Sequence, residues 1–514
     1  MTTDDRLRIA IYDAHWTTLG GGEKLAGSFA EALQVAGDVT LLAHEDVDVP
    51  GLNGHLDVHL GGVRVVVIPN TPAAVTEASA AYDVFINCSF LAHYPAAARR
   101  SIFVTMFPDQ PSIVPSGSQR RLLGARDRIL KHATRWHYGE GFYPTEGADG
   151  VEWRWTNGDA SLGVTPLFDG RVSLMITATG EHLPIDSDAT FAIEINGVRH
   201  RRALDRGRPR TYVFPIEAVS GERMDVRLVS EVFEVSGDPR QFGMQVLTTE
   251  IGLASCSALS QDLLDLNHVQ HSREWLMTYD HVVSISEFTK RWVHEYWDCD
   301  SVVVYPAVRP REAGGKQKVI LSIGRFFDHL GHSKRQRELV DAFRILHERP
   351  EAAGWQLKLL GGSADPHYVT AVRSAAVGLP VSVIENADGD EVRDALASAS
   401  IYWHGMGLHA DPYVNPIMFE HFGISIVEAM SAGAVPLVVD GGGQAEIVED
   451  GVSGLLYRSV PELVEQTALL LRDEPLFLAM RTAAQDRARA FGPGRFQREV
   501  LELAGISAPP VIDS

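Results

Sequence analysis

The amino-acid sequence predicts an α/β protein with two Rossmann-like domains and an all-β sandwich inserted in the first of them. Apolar strand-like runs alternate with helix-like runs at both ends of the chain, which is typical of parallel sheets covered by helices. In between, over about residues 140–255, short alternating runs are separated by turn residues, as in antiparallel sheets. At 514 residues the chain is too long for a single core, so several domains are expected.

Amino-acid composition and net charge indicate a globular protein and limit the kinds of partner that it can bind. Hydrophobic residues make up 45% of the chain and charged residues 22%, as in globular proteins. The net charge of -21 argues against nucleic acid or an anionic membrane as the main partner. Cys88, Cys256 and Cys299 are widely spaced and follow no zinc pattern. No signal peptide is expected, and no run approaches the ~18 apolar residues of a membrane span. A cytoplasmic location is therefore expected, with contact at the inner face of the membrane left open and the oligomeric state not predicted.

The first Rossmann-like unit opens with a predicted strand over residues 7–13, LRIAIYD, then a turn with three glycines and a helix. Glycines let the backbone approach a ligand closely, and phosphate is the usual one, so Gly21 and Gly22 are candidate ligand contacts. Their spacing is not the Gly-x-Gly-x-x-Gly of dinucleotide sites, which disfavours a nicotinamide cofactor.

Four polar residues lie at or just after predicted strand ends of this unit, where open α/β sheets bind ligands. They are Asp13, His15, His93 and Asp109. Taken singly, each is more often a structural residue than a functional one. We nevertheless keep His15, His93 and Asp109 as candidate acceptor-side residues.

The middle of the chain predicts the inserted module. Asn196-Gly197 is a strong hairpin signal between two alternating runs. Trp153 and Trp155 are two positions apart, so both point to one face of a strand. They are either core residues that close the sandwich or a platform on which a sugar stacks.

The α/β pattern resumes after residue 256, with a helix predicted over 259–280 and strands at HVVSISEF and SVVVYPAV. Residues 309–317 carry proline and two glycines and are predicted to be an interdomain linker. The second domain starts at KVILSIGRF. Its first helix is predicted from the helical spacing of four apolar residues, Leu339, Ala342, Phe343 and Leu346.

The strongest functional signal is the stretch from Phe419 to Asp440, FEHFGISIVEAMSAGAVPLVVD, in which Glu420 and Glu428 are eight positions apart. The glycine between them predicts a helix start, whose N–H groups and positive dipole end bind anions and hydroxyl oxygens. A carboxylate one to two turns into that helix can accept hydrogen bonds from a vicinal diol. The alternative is an ordinary strand–helix–strand unit whose glutamates are merely solvated.

With the longer string NPIMFEHFGISIVEAMSAGAVPLVVDGGGQAEIVEDGVSG, this segment resembles the nucleotide-sugar-binding element of the retaining glycosyltransferases of family four. The resemblance covers most of residues 256–485 and, weakly, 7–138, and residues 140–255 resemble β modules inserted in some bacterial members. It implies the GT-B fold, in which two Rossmann-like domains face each other across a cleft. The domains expected on this basis are residues 1–139 with 256–308 on the acceptor side, the inserted module 140–255, the donor domain 309–485, and a C-terminal helix and tail 486–514 that packs back across the cleft.

The resemblance also implies a donor site. Arg325 in SIGRF and Lys334 in GHSKRQ would bind the diphosphate, with the lysine assignment open to a slip to Arg335. Glu420 would face the sugar and Glu428 the ribose hydroxyls, and Arg325, Lys334 and Glu420 are the predicted catalytic residues. The base would lie against Gly361-Gly362 and the loop from Glu385 to Ala387. The remaining implied donor contacts are Gly21, Gly22, Phe422, Gly423 and Ile424.

The implied chemistry is transfer with retention, from a nucleotide-diphospho-sugar to a hydroxyl of a glycan, lipid-linked or small-molecule acceptor. A front-face displacement is widely favoured for the family, and no carboxylate here is an obvious nucleophile. Cofactors and metals are not expected, because none of three Asp-x-Asp pairs lies inside a matching motif; they are Asp46/Asp48, Asp186/Asp188 and Asp298/Asp300. The alternatives left open are an inactive carbohydrate-binding or scaffold protein of this fold, and a sugar-nucleotide epimerase or phosphorylase.

Overall fold

The computed structural model describes residues 6–109, 133–148, 151–180, 190–204, 209–234, 238–253, 274–328, 333–363 and 365–506. Within these ranges the strands form two parallel sheets, two larger antiparallel sheets and one short ribbon. No helix in the described parts of the chain combines the length and the apolar character that crossing a bilayer requires.

The chain begins with five parallel strands and three helices. Their bounds are β1 (Leu7–Tyr12), α1 (Gly21–Leu33), β2 (Gly37–Ala43), α2 (Val49–Leu56), β3 (Arg64–Val67), α3 (Pro72–Ser79), β4 (Val84–Asn87) and β5 (Arg100–Thr105). β1 has Ile9, Ala10 and Ile11 fully buried, because helices cover both faces of a parallel sheet. α1 buries Phe29 and Leu33 against it.

An antiparallel module follows, which we define as the described residues between 134 and 253. Its strands are β6 (Thr134–Tyr138), β7 (Glu146–Ala148), β8 (Val151–Trp155), β9 (Asp159–Pro166), β10 (Gly170–Thr179), β11 (Thr190–Ile195), β12 (Val198–Ala203), β13 (Arg210–Ala218), β14 (Met224–Ser230), β15 (Phe233–Glu234), β16 (Gln241–Phe242) and β17 (Gln245–Leu253). The sheet orders are β13-β10-β17-β8-β7 and β12-β11-β14-β9-β6, and both sheets contribute to one apolar core that includes Leu174, Phe191 and Phe214. The predicted hairpin is confirmed: Asn196 and Gly197 both have positive φ, 47° and 83°, and join β11 to β12.

Antiparallel pairing begins at Thr134, before the boundary expected at residue 140. The reason is a short period-two pattern, in which Trp136 and Tyr138 pack against the module core while Arg135 and His137 are exposed. An alternation over so few residues is a weaker indication of a strand than the longer alternating runs that follow.

The module is attached to the first parallel sheet through β13 and the end of β12. Arg210 is 6% exposed and donates from Nη1 to the carbonyl oxygen of Ala98 over 2.5 Å. The same atom lies 3.8 Å from Asp280 Oδ2. The backbone N–H of Ala203 donates to the carbonyl oxygen of Ala97.

After the module the chain returns to complete the first sheet. The elements are β18 (His281–Ser284), α4 (Glu287–Trp297) and β19 (Val302–Val303). β18 pairs with β5 and β19 with β18, so the sheet order is β3-β2-β1-β4-β5-β18-β19, with every pair parallel. The helix predicted over 259–280 lies largely outside the described residues, and its described end, Glu274–Thr278, is a 3-10 helix.

The second parallel sheet has six strands. Its elements are β20 (Val319–Ile323), α5 (Gln336–His347), β21 (Gln356–Gly361), α6 (Pro366–Ala375), β22 (Val381–Glu385), α7 (Gly389–Ser398), β23 (Ile401–His404), α8 (Ile424–Ser431), β24 (Val435–Val439), α9 (Gln444–Ile447), β25 (Leu455–Tyr457), α10 (Val460–Arg472) and α11 (Glu474–Ala488). The order is β22-β21-β20-β23-β24-β25. The helix predicted from its apolar spacing is confirmed as α5, whose four apolar residues are fully buried. In both sheets the strand order reverses beside the first strand, and ligands of such sheets bind at the carboxyl ends of the strands there.

The last helix, α12 (Pro493–Leu503), returns to the first sheet. The ring of Phe496 meets Phe29 of α1 edge-on at 4.9 Å. Arg100 at the start of β5 donates to the carbonyl oxygen of Leu503 over 3.1 Å. The chain therefore passes between the two parallel sheets twice, once before β20 and once before α12.

Candidate functional site

The switch point of the second sheet brings three predicted or newly found residues together. Lys334, just before α5, places its Nζ 2.5 Å from Oε2 of Glu420. His404, the last residue of β23, places its Nε2 3.0 Å from the same oxygen. The lysine and glutamate side chains are 22% and 19% exposed, and that of the histidine only 1%. These three residues, called here the Glu420 cluster, form a nearly dry charged group at the ligand edge of the sheet.

The protonation of this cluster follows from its surroundings. Burial alone would raise the pKa of Glu420, but Lys334 and His404 outweigh it and hold that pKa well below its usual range. Burial lowers the pKa of His404, so its ring is neutral, and its Nε2 lies 3.0 Å from the carboxylate. Glu420 is thus an ionised acceptor whose Oε2 accepts from Lys334 and has His404 Nε2 close by.

A loop of three glycines covers the backbone of Glu420 and His421. The N–H of Gly443 donates to the carbonyl oxygen of Glu420 over 2.7 Å. A Cβ at Gly443 would lie 2.0 Å from the carbonyl oxygen of His421, so no other residue fits there. This close approach gives a physical reason for the GGG sequence that follows β24.

The predicted helix start is present at α8. Gly423 has φ of 122° and precedes Ile424, the first helical residue. Phe422 is buried, with its ring 5.8 Å from Tyr305 and 5.6 Å from Phe491. Its side chain therefore anchors the loop by packing on these two rings. The backbone of Gly423 and Ile424 forms the amino end of the helix.

Glu428, in the second turn of α8, is not a solvated glutamate. Its Oε1 lies 2.9 Å from Lys24 Nζ and 2.7 Å from Arg311 Nη2. Burial alone would raise the pKa of Glu428, but these two cations lower it. Lys24 belongs to α1, so this carboxylate connects the two Rossmann-like units.

The other predicted phosphate ligand, Arg325, is exposed just after β20. Its Cγ would lie 3.7 Å from a Cβ placed on Gly362, so it stands beside the predicted base-side glycines. Gly361 approaches the backbone so closely that a Cβ there would be 2.0 Å from the carbonyl oxygen of Gly324. Asn386, in the predicted base-side loop, donates from its N–H to the carbonyl oxygen of Gly361 over 2.8 Å.

The glycine-rich turn of the first unit differs from its prediction. Gly21 and Gly22 are the first two residues of α1 rather than a loop before it, and Gly20 is the N-cap. The helix starts early because the carboxylate of Glu23 accepts the N–H of Gly20 over 2.5 Å. Gly22 lies against Met106, since a Cβ there would be 2.6 Å from Cε at the flexible end of that side chain.

The three acceptor-side candidates are only partly brought together. His93 Nε2 lies 3.5 Å from Asp109 Oδ1, and the histidine ring stacks on Trp275 at 4.6 Å. Asp109 also accepts a hydrogen bond from Trp297 Nε1 over 3.1 Å. Burial lowers the pKa of His93, although Asp109 opposes this. His15 is exposed, and its described contact is a backbone N–H that donates to Asp13 Oδ1 over 2.9 Å.

Asp13 itself is 1% exposed, and burial raises its pKa to about 7. One of its oxygens, Oδ1, accepts the N–H of His15. The carboxyl group lies directly after β1, at the same edge of the sheet as the amino end of α1.

Two further contacts join the units around the cleft. The ring of His421 stacks on Phe107 at 4.3 Å and 13°. Glu446 of α9 accepts the N–H groups of Glu287 over 2.9 Å and Phe288 over 2.6 Å, at the amino end of α4. Its carboxylate also accepts the hydroxyl of Tyr305 over 3.0 Å. Both contacts therefore join the second unit to the first near the Glu420 cluster.

Sequence reasoning missed Lys24, Arg311, His404 and Glu446. Lys24 comes two positions after the glycine triplet and His404 ends an apolar strand, so their positions near the start of a helix and at the end of a strand were available signals. Arg311 lies in the linker, and nothing in the sequence indicates that it reaches α8. In the described part of the chain, no group of three or more His, Cys, Asp or Glu side chains is arranged as a metal site. Asp186 and Asp188 lie outside the described residues.

Comparison with known proteins gives a consistent result. Residues 307–489 match the family model described as glycosyl transferases group 1. An α-1,2-mannosyltransferase of Dictyostelium discoideum, named for GDP-Man and Man(3)GlcNAc(2)-PP-Dol, is 26% identical over 221 residues, which are 40% of this chain and 42% of that protein. The match therefore spans less than half of that relative.

Solved structures extend the likeness over nearly the whole chain. HepE of Anabaena, solved in complex with UDP, is 13% identical and covers 97% of this chain and all of that one, with a TM-score of 0.53. Sucrose-phosphate synthase of Thermosynechococcus elongatus is 13% identical with a TM-score of 0.51, covering 97% of this chain and 98% of that one. Residues 307–489 thus match the glycosyl transferases group 1 model, and the chain shares the α/β fold of these solved structures.

Proposed function

We propose that this chain is a retaining, metal-independent glycosyltransferase. It transfers a sugar from a nucleotide-diphospho-sugar to a hydroxyl of a glycan, lipid-linked or small-molecule acceptor. The observation that carries the proposal is the Glu420 cluster at the switch point of the second sheet. Next to it in sequence, His421 stacks on Phe107 of the first Rossmann-like unit. The mannosyltransferase relative and the UDP-bound neighbour support a nucleotide-sugar donor.

In the proposed reaction Lys334 and Arg325 supply positive charge to the leaving diphosphate. Lys334 is a mobile point charge and Arg325 a planar fork of donors. Charge grows on the leaving oxygen during transfer, so these cations stabilise the transition state more than the bound donor. Lys334 lies 2.5 Å from Glu420, and we propose that the same ammonium group would also contact the diphosphate.

Glu420 would accept sugar hydroxyls through its second oxygen, and the amino ends of α8 and α1 would bind sugar and phosphate oxygens. The leaving phosphate oxygen takes the proton of the acceptor hydroxyl as the new glycosidic bond forms on the same face. Retention is proposed from the likeness of the Glu420–Glu428 segment to retaining enzymes. The contribution of the protein is positioning in a closed cleft.

On the acceptor side, His93 and Asp109 would face the acceptor within a frame of tryptophans. We further propose that the antiparallel module is the inserted β-sandwich of the first domain. It would begin near Thr134 rather than at residue 140, and the later domain boundaries would be those predicted. A cytoplasmic site of action is proposed with them.

The experiment is a transfer assay with the full chain and a set of UDP-, GDP- and ADP-sugars, reading release of the nucleoside diphosphate. We expect Glu428→Ala to weaken nucleotide binding by up to ~3 kcal/mol, because hydrogen bonds to a charged group are lost. We expect Lys334→Ala to lower turnover more than affinity. Lys290→Ala, an exposed residue of α4, is the control. Release of nucleotide that is unaffected by either site variant would refute the proposed site.

A further inference from the structure

The carboxylate of Glu428 is fixed by two cations that come from outside the second domain's sheet and its helices. Lys24 of α1 lies 2.9 Å from Oε1, and Arg311 of the linker lies 2.7 Å from the same oxygen. The three side chains are 11–19% exposed. Such charge-assisted contacts in a nearly dry setting are among the stronger polar interactions of a protein.

Arg311 is itself held from both sides. Its Nη1 lies 2.9 Å from Asp57 Oδ2, just after α2 of the first unit. Its backbone N–H donates to Ser431 Oγ over 3.0 Å, and that hydroxyl donates to the carbonyl oxygen of Glu428 over 2.8 Å. The guanidinium is therefore a fixed partner of Glu428.

Both cations engage the same carboxylate oxygen. Among the described residues, no hydrogen bond is made to the other oxygen, Oε2 of Glu428. A carboxylate has about four lone-pair sites, so Oε2 keeps acceptor capacity for two hydroxyl groups. Lys24 and Arg311 keep Glu428 ionised, the form that accepts hydrogen bonds from a diol.

We infer that Lys24 is a donor-positioning residue: supplied by the first domain, it orients Glu428 of the second so that Oε2 meets the ribose hydroxyls of the nucleotide. This inference rests on the proposed function, which gives Glu428 its ribose role. It adds that the nucleoside side of the donor site is complete only when the two Rossmann-like domains are in contact. Nucleotide binding and domain contact are then linked, because each stabilises the other.

The test is titration calorimetry of the full chain with UDP, GDP and ADP, using four proteins. They are the wild type, Lys24→Met, Lys24→Arg and the control Lys290→Met, whose lysine has only an exposed 3.9 Å pair with Glu287. Lys24→Met should raise the Kd of the preferred diphosphate roughly tenfold, which is about 1.4 kcal/mol at 25 °C. Lys24→Arg, which restores a cation, should stay within about threefold of the wild type. Lys290→Met should leave the Kd unchanged.

A kinetic measurement separates positioning from general damage. With a nucleotide-sugar substrate, Lys24→Met should raise the donor KM by a similar factor while kcat falls less. Lys24→Gln provides a second neutral variant if the methionine variant folds poorly.

The possible outcomes separate a failure of the inference about Lys24 from a failure of the proposed glycosyltransferase function. If the wild type binds a diphosphate and Glu428→Ala weakens it, but both neutral Lys24 variants keep the wild-type Kd, only the inference is overturned. If Lys24→Arg is as weak as Lys24→Met, the charge is not what matters and the inference is also overturned. If the wild type binds none of the three diphosphates, the proposed function fails and the inference falls with it.

Discussion

Replacing Lys334 with methionine should destabilise the second domain through the carboxylate it leaves behind. The substitution keeps the length of the side chain but leaves Glu420 buried beside a neutral histidine. Removing one partner of a buried ion pair costs about 3–5 kcal/mol. Because the two side chains are 22% and 19% exposed, water screens part of the charge, and we expect about 3 kcal/mol, the lower end of that range.

The assay is differential scanning calorimetry of the full chain at pH 7. For a domain of this size 1 kcal/mol shifts the midpoint by roughly 2–4 °C, so the transition should fall by about 6–12 °C. Adding Glu420→Gln removes the unpaired charge, and the double variant should recover about 1.5 kcal/mol or more of the loss as coupling energy.

The deficit should also depend on pH. In the wild type the pKa of Glu420 is lowered, so its stabilising contribution is present above the ordinary carboxyl range and is lost only as the pH falls through the lowered value. Without Lys334, burial dominates and raises that pKa, so the folded variant takes up a proton more readily than its unfolded chain. The difference between variant and wild type should therefore shrink from pH 7 to pH 5. A loss below about 1 kcal/mol, or one that neither Glu420→Gln nor acid reduces, would refute this reasoning.

Three further outcomes are expected. Trp155 is 9% exposed and packs edge-on against Phe233 and Phe242, so Trp155→Ala should lower the free energy of unfolding by ~3–5 kcal/mol, as measured by calorimetry. Trp153 is half-buried, so Trp153→Ala should lower it less. Equally small losses in the two variants would favour a sugar platform instead. Transfer should persist in excess EDTA because Lys334 supplies positive charge, and activity restored only by Mn²⁺ would contradict it. Glu446→Ala should remove the acceptor at the amino end of α4 and lower the free energy of unfolding by about 1–2 kcal/mol. It should also increase the radius of gyration in solution scattering. An unchanged radius would show that other contacts hold the two units together.

Much of the fold could be predicted because its signals are local. The buried strand β1 is a continuous apolar run, α5 shows helical spacing, and the Asn196-Gly197 turn has a positive-φ requirement of its own. The start of α1 was missed because glycine has poor helix propensity, yet Glu23 caps the helix and the packing on Met106 favours glycine at that turn. β6 was missed because its period-two pattern is only five residues long.

The candidate site could be predicted only where one segment carries the chemistry. Glu420 and Glu428 lie eight positions apart on one stretch and were found together. Their partners are far away in sequence: Lys24 is 404 positions from Glu428, and Arg311 lies 117 positions before it. Pairing at that distance depends on how the two sheets meet, which no local pattern encodes. The stacking of His93 on Trp275 is hidden for the same reason.

The position of the module within the first sheet has a consequence for synthesis on the ribosome. β5 ends at Thr105, and its neighbour β18 begins only at His281, after the whole module. At translation rates of roughly 5–20 residues per second, β18 is synthesised about 10–35 s after β5, and β5 is an unpaired edge strand during that time. Open strand edges pair readily with other chains. Nascent chains stalled before His281 should therefore be captured by chaperones or cleaved by protease, and those stalled well after Val303 should be protected at β5.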